Sequence, residues 1–372
     1  MYVKTLQLDH YRNIEQLSIQ ADEHVNIIMG PNAQGKTNIV ESIFVLALTK
    51  SHRTHKDKEL INWDHDHARI AAAIDRKYGT AELDIQLSPQ GKKAKINGLE
   101  QRKLSNFIGT LNVVMFAPED LEIVKGSPTI RRRFMDMEIG QVHPSYLHHL
   151  SQYQKIVAQK NNQFRRGGAE LSQAESMMLD VWNEQLANSG VKIMKSRQNF
   201  IKKLQVWAEA IHDGITGGRE KLRIAYKPSF ECDDFQDETV VFNQFMIKLS
   251  QVKQQEQRRA TCLFGPHRDD LLFYINDKEV YAYGSQGQQR TAALSLKLAE
   301  LELMKEEVGE YPILLLDDVL SELDRNRQTQ LIRTFQGKVQ TFITTTGIES
   351  IEAASIAHAK LFQVSNGQVT LG

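Results

Sequence analysis

The sequence predicts an α/β fold, a P-loop domain with a helical arm subdomain inserted into it. Three stretches carry that prediction. Near the start, Gly30-Pro31-Asn32-Ala33-Gln34-Gly35-Lys36-Thr37 fits the phosphate-loop pattern GxxxxGK[ST]. Near the end, the apolar run Ile313-Leu314-Leu315-Leu316 closes on two carboxylates, Asp317-Asp318. Between them, from Pro144 to about His212, the pattern is helical and rich in Gln, Lys, Arg and Asn.

The phosphate loop sits in the right context. His24-Val25-Asn26-Ile27-Ile28-Met29 reads as a buried strand, and Asn38 to Leu48 places apolar residues at helical spacing. Gly30 and Gly35 let backbone N–H groups converge on phosphate oxygens. The helix beginning near Gly35 adds its positive N-terminal end. Lys36 is expected to reach the β- and γ-phosphates, and the Thr37 hydroxyl to hold Mg²⁺. The expected nucleotide contacts are Gly30 through Asn38: Gly30, Pro31, Asn32, Ala33, Gln34, Gly35, Lys36, Thr37 and Asn38.

Composition sets the outer limits. A chain of 372 residues has room for two or three compact units. Lys+Arg and Asp+Glu both number 46, so the net charge of zero advertises no nucleic acid, although it permits a local basic face. Cys232 and Cys262 are too few for a disulfide framework and have no metal-ligand spacing, which suits a reducing cytosol. The start shows no signal peptide and no run is apolar enough to span a bilayer, which argues only against an integral protein and leaves a peripheral transporter subunit open; a cytoplasmic location with no membrane partner is the expectation.

The remaining elements follow in order. Residues 2–10 alternate as a strand, and Tyr11-Arg12-Asn13-Ile14 turns. Arg12 is either a phosphate contact or a solvated turn residue. Residues 69–77, 80–87 and 92–97 form a three-strand meander against the nucleotide-binding sheet, with turns at Gly79, Gly91 and Asn97-Gly98. Its lysines make Lys92 and Lys93 candidate DNA contacts, although such clusters are more often solvated faces. Asn112 to Phe116 is a strand, and Pro118 and Pro128 each suit a helix's first turn. Arg131, Arg132 and Arg133 cannot share one helical face, so at least one turns inward to a carboxylate while the others can meet phosphate. Gly167-Gly168 breaks the helical stretch into an antiparallel pair. Gly214 to Gly218 is a linker, Leu222 to Tyr226 a strand, and Val240 to Arg259 a helix. His267-Arg268-Asp269 could form a catalytic or DNA-facing cluster, but reads first as a turn with a local ion pair.

Asp317 is expected to hold the Mg²⁺ shell and Asp318 to orient or deprotonate the attacking water, as phosphoryl transfer requires. Upstream, Ser285-x-Gly287-x-Gln289 precedes the helix Thr291–Met304, and a helix N-terminus is a second phosphate-reading device. It resembles the signature motif of ABC-type ATPases, which meets the γ-phosphate held by the other protomer. Ser321-Glu322-Leu323-Asp324 then resembles the D-loop, with Ser321 and Asp324 as its site residues. Where ABC transporters carry a switch histidine, this chain has Thr344-Thr345-Thr346. A phosphate loop near one end and the carboxylate strand near the other resembles the heads of SMC-type ATPases, with a much shorter arm. The expected fold is therefore an ABC-ATPase-like, SMC head-like P-loop domain. Its parts are residues 1–125, the helical arm 126–260, and residues 261–372.

Within that group the sequence resembles the RecF family of bacterial DNA-repair ATPases. The resemblance rests on Pro118 through Asp136 with Gly126-Ser127-Pro128 and Arg131-Arg132, on Leu315 through Arg327, and on Gly30 through Glu41 with Ser51-His52-Arg53-Thr54. It implies ATP and Mg²⁺ as ligands, an ATP-dependent homodimer, and slow DNA-dependent hydrolysis used as a switch. It further implies binding to single-stranded, duplex and gapped DNA. RecR and RecO are implied as partners in RecA loading, replication-linked recombinational repair and the SOS response. Arg131, Arg132, Lys92 and Lys93 are the candidate DNA contacts. The competing readings are an SMC-like structural tether and a peripheral ABC transport ATPase. The short arm counts against the first, and the missing switch histidine against the second.

Overall fold

The computed structural model describes residues 1–166, 172–230, 232, 235, 237–320, 328, 331, 337–347 and 359–371. In chain order the strands are β1 (Tyr2–Tyr11), β2 (Ile14–Gln20), β3 (Val25–Met29), β4 (Ala68–Arg76), β5 (Gly79–Ser88), β6 (Gly91–Ile96), β7 (Leu99–Glu100), β8 (Val113–Phe116), β9 (Leu222–Lys227), β10 (Asp270–Ile275), β11 (Lys278–Glu279), β12 (Ile313–Asp317), β13 (Thr341–Thr345), β14 (Lys360–Ser365) and β15 (Gln368–Leu371). The helices are α1 (Lys36–Leu48), α2 (Leu121–Lys125), α3 (Pro128–Val142), α4 (Pro144–Arg166), α5 (Gln173–Thr216), α6 (Glu238–Arg259), α7 (Val280–Tyr283) and α8 (Gln286–Val308). Contacts divide the chain into two units: residues 1–121, 211–219 and 293–372, and residues 122–210 and 220–292.

The first unit contains two six-stranded sheets. One is ordered β15-β14-β3-β13-β12-β8, and β14, β3, β13, β12 and β8 run parallel. Both faces of its central strands are covered, so no alternation is needed: β12 is an apolar run, and β12 and β13 are buried at every position, the threonines of β13 included. The other, β2-β1-β4-β5-β6-β7, is antiparallel throughout and alternates inward and outward positions. In β1, Val3 and Leu6 are both buried although three positions apart, which breaks a period of two. A register shift between Val3 and Thr5 restores the phase. The helix α1 packs on β12 and β13 as well as on β4 and β5, and Ile39 through Leu48 are buried without exception. A helix buried on every face, Glu41 and Ser42 included, is one enclosed on all sides.

The expected three-strand meander is present as β4, β5 and β6, and it joins β1 in the antiparallel sheet. Two elements escape the sequence reading. Ile14–Gln20 is a strand pairing with β1, and β14–β15 forms a C-terminal hairpin. The expected linker at Gly214 begins later, because α5 continues through Thr216.

In the second unit, α3 to α6 accompany the sheet β11-β10-β9. Residues 261–292, expected with the C-terminal part of the P-loop domain, group here because β10 pairs along its whole length with β9. A buried ionic hub organises the interior. Arg197, 1% exposed, donates to Asp136 Oδ1 at 2.8 Å, Pro266 O at 2.6 Å and the Tyr146 hydroxyl at 3.0 Å. It also lies 3.4 Å from Asp269, which accepts from Tyr226 and from the Ser229 amide. Burial opposes the Arg197 charge, but these carboxylates and tyrosines hold its pKa well above the ordinary value. His267 shares a 2.7 Å hydrogen bond with Tyr153, and burial takes its pKa down to about 4. The expected local ion pair gives way to distant partners: His267 pairs with Tyr153, Arg268 donates to Cys262 O at 3.0 Å, and Asp269 faces Arg197. The Gly167-Gly168 break lies outside the described residues.

Candidate functional site

The site forms where β3 and β12 end on either side of β13. The apolar β3 delivers Met29, and the chain turns at once. Gly30 has φ +152°, and a Cβ there would meet Val364 O at 2.3 Å. Gly35 caps α1 at φ +109°, where a Cβ would meet Asn13 Oδ1 at 2.7 Å. Close approach of neighbouring backbone and side chain therefore demands glycine at both positions. Ala33 is also left-handed, at φ +65°.

The loop is held from three sides. Asn13 Nδ2 donates to Gln34 O at 3.1 Å, and Asn13 Oδ1 accepts from Asn38 at 2.7 Å. At the turn of the C-terminal hairpin, Asn366 N donates to Gln34 Oε1 at 2.6 Å and Gly367 N to Gln34 O at 3.1 Å. Lys36 folds back over the loop, donating to Gly30 O at 2.8 Å and Pro31 O at 2.9 Å. Burial lowers its pKa, against the opposing charges of Asp318 and Asp317. Pro31, Asn32 and Ala33 face solvent.

The carboxylate strand meets this loop as expected. Register aligns Asp317 with Thr344, and Thr344 with Ile28. Asp317 Oδ1 accepts from Thr37 Oγ1 at 2.9 Å and from Thr344 Oγ1 at 2.7 Å. Thr344 in turn accepts from the Asp318 amide at 2.9 Å. Asp318 itself is exposed and left-handed, φ +55°, which turns it out of the strand direction beside the loop. A hydroxyl thus occupies the position where a switch histidine was lacking, and it fixes both carboxylate residues. A cavity of about 400 Å³ opens over the loop, lined among others by Asn13, Lys36, Thr37, Arg53, Asp318 and Thr344. Asn13, Arg53 and Thr344 are site residues that the motif reading did not single out. Arg53 reaches the site through Asn38 Oδ1, 2.9 Å away.

Behind the loop lies a buried carboxylate, Glu41 on α1. Arg12 Nε and Nη2 donate to its two oxygens at 2.9 and 2.7 Å, and Ser51 Oγ donates at 2.5 Å. Burial opposes the Glu41 charge, but the hydrogen bonds from Arg12 and Ser51 and the charges of Arg12 and Arg53 hold its pKa below the ordinary value. Arg12 is thereby a structural partner, also donating to Glu59 O at 2.8 Å.

The signature stretch belongs to the second unit. Ser285 and Gln288 exchange hydrogen bonds, Ser285 N to Gln288 Oε1 at 3.0 Å and Gln288 N to Ser285 Oγ at 3.2 Å. This reciprocal pair is a capping box at the start of α8. Ser285 and Gly287 are exposed, and Gln289 is half-buried, with its side chain donating to Gly284 O. The expected D-loop residues Ser321 and Asp324 lie outside the described residues.

The candidate DNA contacts divide. Arg131 is buried and spent internally, donating to both Asp270 oxygens at 2.7 and 2.9 Å and to Gly126 O at 2.7 Å. Lys92 donates to Thr49 O at 2.5 Å and to Asp57 Oδ1 at 2.7 Å. Both expectations give way to intramolecular pairing, because each cation has a carboxylate within reach. Arg132 is half-buried, donating to Asp269 O at 2.9 Å and to Thr129 Oγ1 at 3.1 Å. Lys93 is exposed.

Fold and site together define an SMC-type P-loop ATPase head. The RecF/RecN/SMC N terminal domain model matches residues 2–370. Curated relatives from Bacillus mycoides (strain KBAB4) and Bacillus cereus (strain AH820), both described as DNA replication and repair protein RecF, are 53% and 52% identical over 369 residues, covering 99% of this chain and 98% of theirs. A solved structure of the recombination mediator protein RecF-ATP in the RecFOR pathway superposes with a TM-score of 0.92 at 32% identity, covering 100% of this chain and 97% of that one. An Smc head bound to the C-winged helix domain of ScpA shares the fold alone, at 14% identity and a TM-score of 0.56 over 100% of this chain and 98% of that one. The chain belongs to the RecF family of DNA replication and repair proteins. No helix among the described residues is long and apolar enough to cross a membrane.

Proposed function

We propose that this chain binds ATP with Mg²⁺ at the phosphate loop and uses it to close a homodimer on gapped or junction DNA. The observation that carries the reading is the convergence of Thr37 and Thr344 on Asp317 beside the Lys36 ammonium, at the mouth of the cavity. ATP in a relative's structure supports it. Lys36 exchanges Gly30 O and Pro31 O for the β- and γ-phosphate oxygens, and Asn13 and Arg53 flank the nucleotide. Thr37 and Asp317 offer the hard oxygen donors that suit Mg²⁺, whose chemistry is to neutralise charge between the β- and γ-phosphates. Asp318 orients a water toward the γ-phosphorus. The new P–O bond forms as the bond to the β-phosphate oxygen breaks, and the water's proton passes to the carboxylate, leaving ADP and phosphate.

Ser285, Gly287 and Gln289 of a second copy complete the site. The exposure of Ser285 and Gly287 at the start of α8 leaves them accessible to a partner's γ-phosphate, and Gln289 lies half-buried behind them. ATP then acts as a ligand that favours the dimer, and slow, DNA-dependent hydrolysis reopens it. Arg132 and Lys93 are the remaining candidates for phosphate contact. The RecFOR description of solved relatives supports RecO and RecR as partners in recombinational repair. RecA loading, SOS induction and a cytoplasmic location complete the proposal, as the family resemblance implies. Family membership favours this over a transport ATPase or a tether.

The test is a Mg-ATP titration of the parent and Lys36→Ala. One charge-assisted hydrogen bond contributes about 1.5–3 kcal/mol, so the variant should bind roughly 10- to 150-fold more weakly. Equal affinities would remove the loop from the nucleotide site.

A further inference from the structure

We infer that His10, Glu15 and His65 form a binding site for a divalent transition-metal ion of the zinc class, separate from the nucleotide site. Glu15 Oε1 lies 2.8 Å from His65 Nε2 and 3.4 Å from His10 Nδ1, and the three ligand atoms all fall within 4.8 Å of one another. Tetrahedral zinc with bonds of about 2.0–2.1 Å sets its ligand atoms roughly 3.3 Å apart, close to these separations. Two nitrogens and one carboxylate oxygen form a donor set that favours zinc, cobalt or nickel over Mg²⁺ or Ca²⁺. Three protein ligands leave a fourth position for water or for His67, whose ring centroid is 5.2 Å from that of His10.

The local structure holds these groups ready. His10 ends the regular part of β1 in the left-handed region, φ +52°, an unusual conformation for a residue with a side chain. Glu15 lies across the hairpin on β2, between residues whose partners are Asp9 and Tyr11. The turn that carries His65 is pinned to the same place, because Asn62 N donates to His10 O at 2.8 Å and His65 N to Asn62 O at 3.1 Å. The His10 and His65 rings stack at 3.6 Å.

The bland alternative is a surface ion-pair cluster, and one atom argues against it. The Nδ1 of His10 is shut off from solvent and reaches Glu15 Oε1 only at 3.4 Å, outside hydrogen-bond geometry. The same oxygen holds His65 at 2.8 Å, so the buried His10 nitrogen is left with the longer, poorer contact. A single cation satisfies all three lone pairs together.

The experiment uses the full chain, stripped with a chelator and without nucleotide. Zinc chloride is titrated in competition with a chromogenic chelator, and Co²⁺ absorption reports geometry. The parent is expected to bind one zinc per chain, undisplaced by excess Mg²⁺, with a raised melting temperature. Glu15→Gln and His65→Ala should each weaken binding by about 100-fold or more, since second-shell changes alone cost roughly 10–100-fold. Both should melt like the parent in chelator, which separates ligand loss from misfolding. His10→Asn keeps a residue tolerant of the left-handed backbone. No zinc bound by the parent, or binding that survives Glu15→Gln combined with His65→Ala, overturns the proposal.

Discussion

Replacing Arg12 with alanine tests whether that arginine is a structural partner of Glu41 or a contact for phosphate. The substitution removes both charge-assisted hydrogen bonds from a carboxylate that is 0% exposed. Stranding a buried charge by deleting its partner costs about 3–5 kcal/mol. Ser51 remains at 2.5 Å and Arg53 at 3.8 Å, so the lower end, about 3 kcal/mol, is expected. For a unit of about 200 residues, each kcal/mol moves the midpoint roughly 2–4 °C, so the melting temperature should fall by about 6–12 °C. Scanning calorimetry at neutral pH measures this directly. Adding Glu41→Gln to Arg12→Ala should recover part of the loss, because no charge is then buried alone. The pH dependence gives a second check. Glu41's folded pKa lies below its unfolded one, so its contribution is present above the unfolded value and lost as pH falls through the folded value. That acid-side loss should shrink in Arg12→Ala. A midpoint within about 2 °C of the parent would refute the reasoning and return Arg12 to the ligand side.

Three further outcomes are expected, one at the nucleotide site and two among the basic residues. Asp318→Asn should slow ATP hydrolysis by about 10²–10⁴-fold, the usual contribution of a positioned base, while keeping Mg-ATP affinity. Hydrolysis at the parental rate would place the base elsewhere. Alanine at Arg132 or Lys93 should each flatten the salt dependence of DNA affinity by about one unit of slope if that residue touches phosphate. Arg131→Ala should leave the slope unchanged and lower stability, because it strands Asp270. A flattened slope for Arg131→Ala would contradict its internal assignment.

The parts of this molecule legible in the sequence are those written in contiguous residues. Gly30 through Thr37, the run Ile313–Asp317 and the hairpin turns at Gly79 and Gly91 each carry their structure in local periodicity and backbone freedom. What escaped depends on residues far apart in the chain. Asn13 buttresses Gln34 and Asn38, and the turn at Asn366 and Gly367 closes on Gln34 from more than 300 positions away. Nothing local in Thr344-Thr345-Thr346 says that one hydroxyl will fix Asp317. That follows only from β13 lying between β3 and β12. The basic residues show the same limit. Lys92 and Lys93 are indistinguishable as neighbours in a strand, but the period of two sends one to Asp57 and the other to solvent. Arg131 and Arg132 part for the helical equivalent of that reason, since 100° of rotation separates them.

ATP is proposed to close two copies through a signature stretch acting across the interface. Sedimentation velocity of the parent and Ser285→Arg, each with and without Mg-ATP and gapped duplex, tests it most directly. Mg-ATP is expected to convert the parent to a dimer and to leave Ser285→Arg monomeric, although the variant still binds ATP. A parent whose sedimentation ignores Mg-ATP even with DNA present, or a variant that dimerises as readily as the parent, would contradict it.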